Sequence, residues 1–533
     1  MSKELEYCSY LNKQSEKYMK SLHIPTGIVE YKHGKNYTSV FNHEYSENIL
    51  SDNEKEFISN IKFKKLKLKK VDNKVLTTNY EKRITKIKSS EISSDEKITK
   101  LKCAKTKYDK KINNINNVIR SYQISIPFTY EQKNIIIEWF SVCDKVYNTC
   151  VDLFNKDSKK FIKYTKKQIF DIIFGSSDKN CPYDMLTGEY NSFMTNLKSA
   201  FTNLKQQNIT HFEMTHKKQK KGRSILIPKK SISKMGIFVT KLGSIESFDN
   251  ILDYKNIACD CKLVYDKVYK MFYLHIPQYK KKIIEQLPVS LATLEPVASQ
   301  QAEPKKYKIT ALDQGEKTFV ACYSPEIIER FGNDIRIKIL NRQTQIKKLQ
   351  KIKAKNINKT GKKIKNKRAI SNKIQRLYKN IKNIVKELRN KTVNYLCKTY
   401  ERILIPEFAI KNMIKNPKKE IVKEKFEGTK DEIKQIIRTN TKKRQMGKKS
   451  KFVLQQLSHY KFKQQLLAKG EEYGCQIIEC TEEYTSKCCG KCGCLSDKYD
   501  YRMKICSGCG TNIDRDVNGS RNILIKNITK IVR

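Results

Sequence analysis

Four cysteines stand in two pairs, Cys489-x-x-Cys492 and Cys506-x-x-Cys509, with thirteen residues between them. Each pair turns two thiolates toward one point, and two pairs complete a tetrahedral shell suited to a structural Zn²⁺. Cys488 and Cys494 are spare neighbours, so the register is open by one residue at Cys488. A closed four-thiolate shell leaves no position for a substrate, and chemistry must then come from acids. Asp516 lies seven residues past Cys509, just ahead of Asn518-Gly519, and Asp313 ends the apolar run of "KYKITALD". Carboxylates at strand ends are what a two-metal nuclease needs, because two hard cations need bridging oxygens to clamp the attacking water and the leaving oxygen. Either aspartate alone reads as readily as a turn residue or, for Asp516, as the cap of a short helix. Their conjunction with the cysteine pairs and with a strongly basic segment favours metal chemistry on phosphate.

The charge supports that direction. The 533 residues carry 109 Lys+Arg against 55 Asp+Glu, a formal net charge of +54. A globular chain so charged repels itself unless a polyanion neutralises it, which makes nucleic acid the first partner to consider. Lys, Asn and Ile are abundant enough for an AT-rich genome to explain part of the lysine excess, though not its clustering. No run of about 18 uncharged apolar residues is present to span a membrane. The N-terminus lacks the apolar core of a signal peptide, so a soluble intracellular protein without a membrane partner is expected. Six of the seventeen cysteines fall between 488 and 509 and most others sit singly in apolar segments, the pattern of a reducing compartment with one metal site.

Elements that would position these residues follow from the apolar spacing. Residues 1–118 are rich in Lys, Asn, Ser and Glu and read as an accessory, partly disordered extension. Tyr122 to Ile126 alternate like a strand, and Thr129 with Gln132 forms a capping box before a helix that carries Trp139, Cys143, Val146, Cys150 and Leu153 on one face. With strand-like runs at Gly236 to Ile245 and Lys262 to Ile276, residues 119–282 predict a β-rich module with inserted helices. Residues 283–304 contain three prolines and no Lys or Arg, as a linker would. Strands and helices then alternate over 305–533, which argues for an α/β domain. Within it, residues 341–391 hold nineteen basic residues and one acid, Glu387. Ile370, Ile374, Leu377, Ile381, Ile384 and Leu388 are spaced as one seam of an antiparallel helical hairpin turning near Gly361. A solvated charged face is the usual reading of such a run, but nineteen to one is too lopsided for intrahelical pairing and points to phosphate contact. A helix around Phe452 to Ala468, with Val453, Leu457, Tyr460 and Leu467 on one side, and a zinc knuckle over 486–511 complete the domain.

"LDQGEKTFVACYSP", "LIPEFAIKNM", "LSHYKFKQQLLAKGEEYG", "TEEYTSKCCGKCG" and "DRDVNGSRNIL", in that order, resemble the C-terminal half of Fanzor proteins, eukaryotic and giant-virus relatives of the transposon-encoded TnpB nucleases. The resemblance implies an RNase H-like (RuvC) domain, and more loosely a wedge module with a helical recognition region over 119–282. It implies a nuclease that binds a guide RNA and cuts complementary double-stranded DNA beside a short flanking motif, in a host nucleus or viral factory. Asp313 then matches the first catalytic aspartate and Asp516 the last, holding two Mg²⁺, while the cysteines hold Zn²⁺. The middle acid departs from the usual pattern. TnpB places a glutamate seven residues before a methionine, and here that position is Pro406, with Glu407 one residue off. A one-residue shift along a strand turns a side chain to the opposite face. Some relatives instead place a glutamate just before Tyr-Thr-Ser, which here makes Glu482 the preferred third ligand over Glu407, with Glu483 beside it. The substituted Pro406 also leaves room for a catalytically inactive nucleic-acid-binding zinc protein, a regulator descended from such a nuclease. A strand-transferring transposase is disfavoured by the motifs.

Overall fold

The structure is a computed structural model that describes residues 32–33, 43–47, 73–89, 93–175, 181–206, 212–217, 223–246, 248, 254–283, 307–355, 367–408, 410–414, 446–495, 499–500 and 502–528. Two compact units are present, Met1–Lys70 with Lys282–Arg533, and Val71–Lys281. The expected linker 283–304 and the turn near Gly361 lie almost wholly outside the described residues.

The first unit is built on a seven-stranded sheet. Its strands are β1 (Lys32–His33), β2 (His43–Glu47), β3 (Tyr307–Gln314), β4 (Val320–Tyr323), β5 (Ile327–Phe331), β6 (Tyr400–Pro406) and β7 (Gln476–Cys480), in the spatial order β1-β2-β5-β4-β3-β6-β7. β3, β6 and β7 run parallel, and β4 is antiparallel to both of its neighbours. Counted from β3, the central five strands stand in the order 3-2-1-4-5 with only the second reversed, the RNase H-like arrangement that the resemblance implies. Helices cover both faces. On one side α1 (Ile335–Lys355), α2 (Lys367–Thr399), α3 (Lys448–Leu457) and α4 (His459–Tyr473) enclose Leu312, Phe319, Ile381, Leu388, Ile403, Val453 and Phe462. On the other, α5 (Arg515–Asn527) packs Val517, Ile523 and Leu524 over Ile309, Ala311 and Leu404. The small three-stranded sheet of β8 (Tyr499–Asp500), β9 (Met503–Ile505) and β10 (Asn512–Asp514) leads directly into α5.

Two expectations change here. The segment 1–118 does not stand apart as an extension: β2 is a strand of this sheet, pairing antiparallel with β5 from Glu47↔Ile327 to His43↔Phe331. Nothing local announces a partner almost three hundred residues away. The helix expected through Phe452 to Ala468 breaks at Ser458, whose left-handed φ of 53° restarts the chain as α4. The break rotates the apolar stripe, so Phe462 and Leu466 are buried while Tyr460 is exposed.

α1 and α2 pack together over the expected basic segment. Ile346, Ile381 and Leu388 are buried and Ile374, Leu377 and Ile384 partly so, but Ile352 is exposed, so the seam ends sooner on α1. Lys347, Lys348, Lys351, Lys373, Arg376, Lys382 and Lys386 all face outward.

In the second unit the strands Asn117–Ile126, Met271–Lys281, Cys261–Asp266 and Arg223–Ile227 form an antiparallel sheet in that order. The helix Tyr130–Lys156 starts at a capping box in which Thr129 and Gln132 bond reciprocally, and buries Trp139, Cys143, Val146 and Cys150 against the core. The run from Gly236 is a strand only to Ile237, because Phe238 adopts φ 45° and a helical turn follows at Val239–Leu242. The helices Asn73–Lys88 and Ser94–Asn116 of the expected extension belong to this unit.

Candidate active site

Strand parity places the acids. Along β3, Ile309 and Ala311 face α5, so with a period of two Asp313 faces it also. Along β6 Leu404 faces α5, which puts Pro406 on that side and turns Glu407 away. Glu407 is exposed beyond the strand end. On β7 Cys480 faces α5, and Glu482 lies two residues further on. The Pro406 carbonyl accepts a hydrogen bond from Gln314 Nε2 at 3.2 Å, so the position where TnpB carries its glutamate is a backbone contact next to Asp313.

Asp516 comes from α5. Asp514, and not Asp516, caps this helix: its Oδ1 accepts from the backbone N–H of Asp516 at 2.9 Å and of Val517 at 3.3 Å. The Asp516 carboxylate is thereby left in the first turn, where the helix dipole favours negative charge. Its Oδ2 accepts from Arg502 Nη2 at 2.6 Å and lies 3.0 Å from Thr318 Oγ1. Gly519, one turn along, rests against Asp313. A Cβ at this position would stand 2.5 Å from Asp313 Oδ2, so the Asn-Gly pair leaves the space that the carboxylate occupies.

The other acids act on Asp313. Burial pushes the Asp313 carboxyl well above its ordinary value, and the charges of Asp516, Glu482 and Asp514 push it further. Burial and the adjacent Glu483 raise Glu482. Glu483 is drawn the other way by its 2.6 Å pair with Lys526, and this exposed pair takes it out of the cluster. Asp516 and Glu482 both act on Asp313, while Glu407 turns outward and Glu483 pairs with Lys526; among the described residues only the four cysteines bring three or more potential ligand atoms within 4.8 Å of one another. A buried Asp313 raised further by the charges of Asp516, Glu482 and Asp514 is a group that a nearby multivalent cation would relieve.

The cysteine cluster sits on the other flank of α5. The ligand sulfurs of Cys489, Cys492, Cys506 and Cys509 all lie within 4.8 Å of one another, with Cys489–Cys509 at 3.8 Å and Cys492–Cys506 at 3.4 Å. Zn–S bonds of about 2.3 Å in a tetrahedron place sulfurs roughly 3.8 Å apart, so the cluster has the size for Zn²⁺. Backbone N–H groups of Lys491 and Gly508 donate to Cys489 Sγ and Cys506 Sγ. Cys488 is buried and points its thiol at the Gly493 carbonyl at 3.1 Å, which closes the register left open at Cys488. Asn518, Arg521 and Asn522 bind the cluster's backbone: Asn518 Oδ1 accepts from Gly490 N at 2.8 Å, both asparagines donate to the Cys488 carbonyl at 2.8 Å, and Arg521 donates to the Gly490 carbonyl.

Sequence reasoning passed over Arg502, Thr318, Asn333 and the polar interior of α5. A signal existed for the last, since Asn-Gly-Ser-Arg-Asn is a run of mostly weak helix formers in mid-helix, which makes sense only if the side chains are buried with partners. For the others nothing in the chain marks the contact.

A central sheet in the order 3-2-1-4-5 thus carries Asp313 beneath α5, whose flank holds the four-cysteine cluster. Residues 459–523 match the Cas12f1-like TNB domain, and residues 286–417 match a probable transposase family, OrfB_IS605. The chain is 24% identical over 432 residues to putative transposase A625R of Paramecium bursaria Chlorella virus 1, covering 77% of this chain and 87% of that one. It is 22% identical over 425 residues to TnpB-like protein L79 of Acanthamoeba polyphaga mimivirus, covering 76% and 73%. Over 81 residues it is 36% identical to the CRISPR-associated endodeoxyribonuclease Cas12f1 of Sulfoacidibacillus thermotolerans, covering 15% and 19%. Over about three quarters of its length the chain is thus similar to viral TnpB-like and transposase proteins.

Proposed function

We propose that this protein is a Fanzor-type, RNA-guided, Mg²⁺-dependent endonuclease that cleaves double-stranded DNA complementary to its guide. The observation that carries the reading is that the charges of Asp516 and Glu482 bear on the buried Asp313, and on this reading Glu482 makes up for the proline at 406. These three carboxylates would hold Mg²⁺, which supplies a clamp on the attacking and leaving oxygens of an in-line displacement. Arg502, fixed by Asp516 and by Thr318 Oγ1 at 2.6 Å, would meet a phosphate oxygen drawn to the same point with a planar donor fork. The outward-facing lysines and arginines of α1 and α2 would hold guide RNA or heteroduplex by backbone charge, leaving sequence to base pairing. The cysteine cluster would hold Zn²⁺ and keep the backbone between Glu482 and Asp516 in place.

Guide-dependent cleavage of a matched duplex tests this. Asp313→Asn and Glu482→Gln should abolish cleavage while target binding survives, and Glu407→Gln should retain most activity. Full guided activity in Asp313→Asn removes the nuclease reading of this domain, whereas absence of guided cleavage by the parent chain favours the inactive regulator to which Pro406 points. Activity in Glu482→Gln together with a dead Glu407→Gln reverses the choice of glutamate.

A further inference from the structure

β2 adds more than an edge to the sheet. His43 stacks on Phe331 at 4.5 Å and 8° and bonds to the wholly buried Glu329 at 2.9 Å, which seats the strand against β5. Its neighbour Glu44 faces the other way, and Oε2 there accepts from Arg330 Nη2 at 3.0 Å and from Asn333 Nδ2 at 2.6 Å. Both donors lead toward α5. Arg330 Nη1 reaches Asp514 Oδ2 at 3.3 Å, on the carboxylate that caps the helix in front of Asp516. Asn333 Oδ1 lies 2.8 Å from Thr318 Oγ1, itself 3.0 Å from Asp516 Oδ2.

The hydrogen-bond roles along this chain are fixed from the Glu44 end. A carboxylate only accepts, so it requires the NH₂ of Asn333, and the amide oxygen then faces Thr318. Thr318 has one hydroxyl proton for two acceptors, and the Asn333 oxygen at 2.8 Å competes for it with Asp516 Oδ2 at 3.0 Å. Its oxygen is left to accept from Arg502. With an amide in place of Glu44, Asn333 can turn over, and the Thr318 proton is released to Asp516 Oδ2, where it competes for the lone pair a cation would use. We infer that Glu44, on the N-terminal strand, is a positioning residue that keeps the Asp516 carboxylate available to metal. The inference rests on the proposed two-metal reading of that carboxylate. The groups around Glu44 that decide the outcome are Arg330, Asn333, Thr318 and Asp514.

Outer partners of metal ligands typically change metal affinity by roughly 10–100-fold. The test is Mn²⁺ binding by the full-length chain, followed by loss of the free-Mn²⁺ electron paramagnetic resonance signal, with Asp313→Asn as the site-deleted reference. Glu44→Gln is expected to weaken the binding lost in Asp313→Asn by at least about tenfold. It should also move half-maximal guided cleavage to a correspondingly higher Mg²⁺ concentration with target binding unchanged. Asn333→Ala interrupts the same path without touching the strand and should give the same shift even if Glu44→Gln loosens β2. In a Thr318→Val background Glu44→Gln should add little, because the path is already cut. Unchanged Mn²⁺ affinity and Mg²⁺ dependence in both Glu44→Gln and Asn333→Ala overturn the inference. If Asp313→Asn itself binds Mn²⁺ and cleaves like the parent chain, the metal reading fails instead.

Discussion

Gly519→Ala is the smallest change that addresses the site. The added Cβ would lie 2.5 Å from Asp313 Oδ2 and 3.3 Å from Cγ. Non-bonded atoms rest at roughly 3.5 Å, so the carboxylate or the start of α5 must give by about 1 Å. In stability the effects nearly cancel. Alanine is about 1 kcal/mol better than glycine within a helix, while overpacking costs about 1–3 kcal/mol. The melting temperature should therefore shift by only a few degrees, since a chain of this length changes by roughly 2–4 °C per kcal/mol or less. In catalysis there is no such offset, because a misplacement of about 1 Å can cost about 10²-fold, near 2.7 kcal/mol of barrier. Single-turnover guided cleavage, target binding and melting on the same preparation separate these terms. Undiminished cleavage in Gly519→Ala would refute the claim that Asp313 must hold this position. So would a loss of cleavage fully explained by lost target binding.

Cys506→Ser should lower Zn²⁺ content and melting temperature together, whereas Cys488→Ser should keep its zinc because that thiol only packs against the Gly493 carbonyl; metal analysis of both variants checks the ligand set. Replacing Lys373, Arg376, Lys382 and Lys386 with Gln should weaken nucleic-acid affinity and flatten its salt dependence, each lost phosphate contact reducing the log–log slope by about 0.9 on a B-form duplex. An unchanged slope would show that α2 does not carry the backbone. Asp313, Glu482 and Asp514 all titrate above their ordinary values in the folded chain, so the metal-free fold binds more protons than the unfolded chain. Its stability should fall as pH rises from the ordinary carboxyl range through the raised values. Asp313→Asn should accordingly raise the metal-free melting temperature at neutral pH by a few degrees and lessen that decline; a lowered value would contradict the electrostatic account.

What the chain disclosed in advance was local. Cysteine spacing named the four sulfurs that meet, the apolar run before Asp313 marked a strand end, and the parity of β6 explains why Glu407 turns outward. The adjacent Glu482 and Glu483 are not separable by spacing. Only Lys526, brought near by α5, draws Glu483 aside. Partners across the sheet were invisible for a physical reason: β2 pairs with β5, and Arg502 with Asp516, through contacts set by tertiary packing, which leave no period or turn signature of their own. The single left-handed residue at Ser458 shows the reverse error, a periodic stripe continued through a backbone break. Polar side chains inside α5 were passed over, although they bind the cysteine loops.

The nearness of the cysteine cluster to the acids follows from how α5 is held. Its first turn is set by the Asp514 cap at the end of β10, its inner edge at Gly519 by Asp313 on β3, and its flank at Asn518, Arg521 and Asn522 by the backbone of the first cysteine pair. That pair begins seven residues after Glu482, and the turn between them is closed by Thr485, whose hydroxyl donates to the Glu482 carbonyl at 2.7 Å and whose own carbonyl accepts from Asn522 Nδ2 at 2.7 Å. Glu482 and Asp516 are thus tied to one rigid body although one follows a strand and the other opens a helix. A metal-binding constellation must be held to roughly 0.5 Å, which loops alone seldom achieve. On the proposed reading, a closed four-thiolate shell serves catalysis without touching substrate, because it fixes the loop backbone between two carboxylates that have to act as one pair.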